Sequence, residues 1–66
     1  MIKININVIA ISGQGQSGFR AQAMLGCAMI TGLMDTSGLT AQQVGDACVD
    51  DCKLYLPDAD YTIHLP

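Results

Sequence analysis

Ile2, Ile4, Ile6 and Val8 alternate with Lys3, Asn5 and Asn7 at the start of the chain. A period of two predicts a β-strand with an apolar face and a polar face. From Val8 to Ile11 the alternation gives way to a wholly apolar run. That run predicts a strand passing between layers before it reaches a turn. Phe19 to Met34 then reads as a first helix with Ser17 as N-cap, interrupted only by Arg20, Gln22 and Thr31. A helix so apolar is buried on more than one side, against the sheet and against a second helix or another subunit. Gly26, Ala28 and Gly32 predict close backbone approach, and Met24, Met29 and Met34 read as core filling, with an adaptable contact surface as the alternative.

Asp35 to Leu39 reads as a turn. Thr40 with Gln43 three residues on forms a capping-box pattern that opens a second helix. Ala41, Val44, Cys48, Cys52 and Tyr55 make its buried stripe, while Gln42, Gln43, Asp46, Asp50 and Lys53 face water. Pro57 ends it, because proline lacks the helical N–H and restricts Leu56 before it. Tyr61, Ile63 and Leu65 alternate with Thr62 and His64 as a second strand. The expected fold is α+β: a compact β-α-α-β single domain over residues 1–66 with a small antiparallel sheet. Two strands and an all-round apolar helix leave much surface uncovered in so small a chain, so the sheet is expected to be extended by homo-oligomerisation.

Composition narrows the partners. Half of the 66 residues are hydrophobic, only 14% are charged, and the formal net charge is −3. Lys3, Arg20 and Lys53 are the only basic residues apart from His64. That excludes a phosphate-neutralising nucleic-acid surface and attachment to an anionic membrane. The longest run of apolar or small residues, Ala23 to Ile30, is too short to span a bilayer. The N-terminus reads as a strand and not as a signal peptide, and three cysteines make a poor disulfide framework. The expected location is a reducing cytoplasm.

The candidate chemistry lies in the turn. Gly13, Gly15 and Gly18 have the spacing G-x-G-x-x-G, between an apolar run and a predicted helix. The first N–H groups of a helix lack internal partners and, with the helix dipole, favour an anion. Arg20 opposes that dipole, which a bound phosphate would explain. The predicted ligand-binding residues are Gly13, Gln14, Gly15, Gln16, Ser17, Gly18 and Arg20. The stretch resembles the dinucleotide fingerprint of Rossmann proteins over about fifteen residues. That family needs more parallel strands than this chain holds, and an acidic residue ending its second strand, whereas Asp35 follows a predicted helix. No Rossmann domain is inferred. The plainer reading of the same residues is a flexible turn without a ligand.

Cys27, Cys48, Cys52 and His64 are the residue types of a zinc site but lack its C-x-x-C spacing, so the thiols read as core. A Cys–His nucleophile pair lacks an oxyanion device beyond the glycine turn. Asp46, Asp50, Asp51, Asp58 and Asp60 do not match a calcium loop. No catalytic residue, metal or cofactor is therefore expected. The expected function is a small non-catalytic binding protein that captures an anionic, nucleotide-like small molecule, in a sequestering or sensing role. The alternative is an acidic protein-interaction module, a small inhibitor or adaptor acting on a partner protein.

Overall fold

The computed structural model describes all residues from Met1 to Pro66. The order of elements is β1 (Lys3–Gly13), β2 (Gln16–Leu25), β3 (Ala28–Asp35), α1 (Ala41–Lys53) and β4 (Asp60–His64). They form one four-stranded mixed sheet in the order β3-β2-β1-β4, crossed on one face by the single helix. The architecture is α+β, but the order is β-β-β-α-β, which corrects the expected β-α-α-β.

The expected first helix is a β-hairpin. Leu25 pairs with Ala28, leaving Gly26 and Cys27 as a two-residue loop. Gly26 has φ +64, the first-position geometry of a type II′ turn. Along β2, Ala21 and Ala23 are fully buried while Arg20 is exposed and Gln22 half-buried. This is the period of two, hidden by residue types that also favour helices. The glycine-rich turn is another hairpin. Gly13 pairs with Gln16, and Gln14 and Gly15 between them have φ of +52 and +78. Two successive positive values are the type I′ geometry, whose twist suits paired strands.

The core lies between α1 and one sheet face. Ile4, Ile6 and Val8 of β1, Ala21 and Ala23 of β2, and Val44, Cys48 and Cys52 of α1 form it. Small side chains bring the helix close to the sheet. A Cβ added at Gly45 would lie 2.9 Å from Ile63 Cγ2 and 3.3 Å from Val8 Cγ2. The capping box forms as its sequence pattern requires: Gln43 N–H donates to Thr40 Oγ1 at 3.2 Å, and Thr40 N–H donates to Gln43 Oε1 at 2.8 Å. Tyr55 leaves the predicted stripe, because α1 ends at Lys53, and its ring is 82% exposed.

β4 neighbours β1, as a strand-first, strand-last chain suggests, but runs parallel to it and not antiparallel. Three elements lie between them where two were expected, and the one extra reversal makes the returning strand parallel. The β1–β2 ribbon continues past the helix, where Ile9 and Ala10 are exposed and do not pass between layers. The molecule is accordingly elongated, 41 × 20 × 16 Å. Oligomerisation was expected in order to cover an all-round apolar helix; with that helix replaced by two strands the structure does not support the expectation.

Candidate functional site

The residues of the expected anion site are scattered by the hairpin. No helix follows Gly18, so no free helical N–H groups or dipole stand behind the turn; this corrects the premise of the site. Gly13, Ser17 and Gly18 lie in the β1–β2 ladder. Gln14 and Gly15 form the exposed tip, and Gln16 pairs beside it. Ser17 and Arg20 stand three apart on one strand, so their side chains emerge on opposite faces. Arg20 lines a shallow depression with Met29, Gly32, Leu33 and Met34. Gly13, Gln16 and Ser17 line a different one with Ile11, Ser12, Met34 and Thr36. The glycines have structural duties. Gly15 holds positive φ, and a Cβ at Gly18 would overlap the carbonyl oxygen of Asp35, so β3 closes over that position.

The other candidate groups are likewise kept apart. Cys48 and Cys52 are buried beneath α1, whereas Cys27 is exposed in the β2–β3 loop. His64 lies on the opposite sheet face, its Nε2 3.0 Å from Asn5 Oδ1. No three His, Cys, Asp or Glu side chains converge as metal ligands. Burial pushes the Cys48 thiol up to about 11, and burial also raises Cys52. A thiol so protonated is a poor nucleophile at neutral pH. Asp35 is lowered chiefly by the Ser37 hydroxyl, which donates to Oδ1 at 2.7 Å, with the Leu39 N–H at 3.2 Å on Oδ2. Its carboxylate is thus committed to the β3–α1 loop. Tyr61 donates to the Leu56 carbonyl at 2.6 Å, and desolvation raises its phenol.

What remains is surface that the sequence did not single out. At the end of α1, Ile30, Thr31, Asp51, Cys52, Tyr55 and Leu56 line a cavity of about 270 Å³. Tyr55 and Leu56 also wall a second, of about 540 Å³, with Met1, Ile2, Pro57, Asp58 and Ala59. Each hollow is mostly apolar and carries one carboxylate. Ile30 reaches the first because Ala23 pairs with Thr31 and Met24 with Met29, which leaves Ile30 as the extra residue of a β-bulge. Asp51 accepts a single long hydrogen bond, from Thr31 Oγ1 at 3.5 Å. Reading β3 as helix hid this site, since nothing then places Ile30 beside Tyr55. The one local signal was Tyr55-Leu56-Pro57 itself, large apolar residues beyond a helix stop.

Most acidic groups lie on the helix side, with Lys53 the one cation of α1, while Asp60 shares the uncovered sheet face with Lys3. Asp46, Asp50, Asp51 and Asp58 lie on α1 and the turn after it. Lys3 and Arg20 stand on the uncovered sheet face with Asn5, Gln22 and His64. No helix is long and apolar enough to cross a membrane. Comparison with protein-family models, curated proteins and solved structures gives no match.

Proposed function

We propose that this chain is a small non-catalytic interaction module that binds a partner protein through its acidic, helix-bearing side. The observation that carries the reading is the combination found there. Asp46, Asp50 and Asp51 on α1 and Asp58 after it outnumber the single cation Lys53, and large apolar side chains at the end of the helix stay open, including Leu54 at 75% and Tyr55 at 82% exposure. Clustered exposed apolar side chains mark interaction surfaces, and a field of one sign accelerates encounter with a partner of the other. The buried, poorly nucleophilic thiols of Cys48 and Cys52 and the Asn5-bound imidazole support a role without chemistry. Capture of a nucleotide-like anion has lost the helix terminus that motivated it.

The test is cross-linking and affinity capture in the source cell, with wild type and a variant in which Asp46, Asp50 and Asp51 are all Asn. A defined partner should be recovered with wild type and lost severalfold with the variant. Identical recovery with both proteins overturns the reading. A parallel thermal-shift panel of nucleotides decides the alternative: a nucleotide that stabilises wild type but not Arg20→Ala would restore anion capture.

A further inference from the structure

The two hollows at the end of α1 share a wall, Tyr55 and Leu56, and each is lined by one carboxylate, Asp51 in one and Asp58 in the other. We propose that they form one docking groove for a partner segment bearing two basic side chains, one seated on Asp51 and the next on Asp58, with an apolar residue between them against Tyr55 and Leu56. This rests on the interaction-module reading and adds its address and the chemistry of its partner.

Charge and shape select that occupant. A purely apolar ligand would bury the two carboxylates without compensation, which is costly. A phosphate-bearing polymer would meet two negative charges. Lysine and arginine suit both requirements, because an apolar stem lies along the wall while the cation reaches the carboxylate. The Tyr55 ring adds a face on which a cation is attracted. Ile30, Leu56 and Ile2 line the hollows, and a segment seated against them would displace water there and strengthen each pairing. Asp51 lines the first hollow and accepts only one long bond, from Thr31, so it keeps acceptor capacity for a guanidinium. A second copy of this chain cannot supply the segment. Its Lys3, Arg20 and Lys53 are far apart in sequence, and no two of them could lie on one short stretch.

The experiment is an NMR titration of ¹⁵N-labelled protein with a capped Arg-Leu-Arg peptide and with its citrulline-Leu-citrulline counterpart. The arginine peptide should shift the amides of Ile30, Thr31, Asp51, Tyr55 and Leu56. Asp51→Asn and Asp58→Asn should each weaken it about fivefold. Asp60→Asn, an equal charge change on the opposite sheet face, should leave the affinity unchanged. Three outcomes overturn the groove: equal binding of the citrulline peptide, shifts confined to other surfaces, or equal weakening by Asp60→Asn. A cellular partner that is lost with the triple Asn variant yet binds Asp51→Asn, Asp58→Asn and Tyr55→Ala at full strength would retain the module and reject the groove.

Discussion

Cys48 and Cys52 illustrate how one residue type divides by environment. Both sit under α1, where burial favours the neutral thiol, while Cys27 stands in an open loop. Ellman's reagent should therefore titrate one thiol per native chain and three after denaturation; three in the native state would contradict the packing. The sign of the pH effect follows from the same burial. Cys48 is raised from the ordinary value of 9.0 to about 11, so its neutral form is favoured by folding. Its contribution to stability is full below pH 9 and declines as pH rises from 9 toward 11. Cys48→Ala should flatten that alkaline decline, which pH-dependent urea melts would detect. Gly18 is the other decisive residue. Its spacing with Gly13 and Gly15 suggested a ligand, yet the Asp35 carbonyl occupies the space a side chain would need. Gly18→Ala should cost roughly 1–3 kcal/mol, the usual range for overpacking, read from urea midpoints. An unchanged midpoint would show that β3 does not close over that position.

At the level of elements, hairpin chemistry decided what periodicity alone could not. β1 was legible because Ile4, Ile6 and Val8 alternate strictly with polar residues, and α1 because Thr40 and Gln43 announce its start. β2 and β3 were not, because Ala, Met, Leu, Gln and Arg are strong helix formers and most of the apolar ones sit on both faces. Two signals pointed the other way: Gly26 midway along the supposed helix, and Gln14-Gly15 between runs of strand length. The groove was illegible for the same reason, since it exists only when Ile30 is on a bulged strand. If Gln14-Gly15 is a type I′ turn, Gln14→Asn should stabilise the fold by a few tenths of a kcal/mol or more, since Asn tolerates positive φ better. A lowered melting temperature would refute that turn. The cap behaves conventionally: Thr40→Ala should cost about 1 kcal/mol.

The whole molecule depends on its last strand. β1 is the centre of the core, yet one flank is covered only when β4 returns from the far end of the chain, pairing Lys3 with Asp60 and Ile6 with Ile63. Tyr61 and Ile63 pack against the core from that strand, and Gly45 lets α1 settle onto Ile63. Such pairing is expensive in loop entropy and slow to form, and a domain of this length has little stability in reserve. A chain ending at Pro57 should therefore lose cooperative unfolding, although three strands and the helix remain in its sequence. The separate segment Asp58–Pro66 can then decide whether the loss is specific. Added in trans at millimolar concentration, it should restore a sigmoidal melt, and the same peptide with Ile63→Asp should not. A truncated chain that unfolds cooperatively by itself would show that β1, β2, β3 and α1 hold the core without β4, and would place the source of stability in the meander and helix alone.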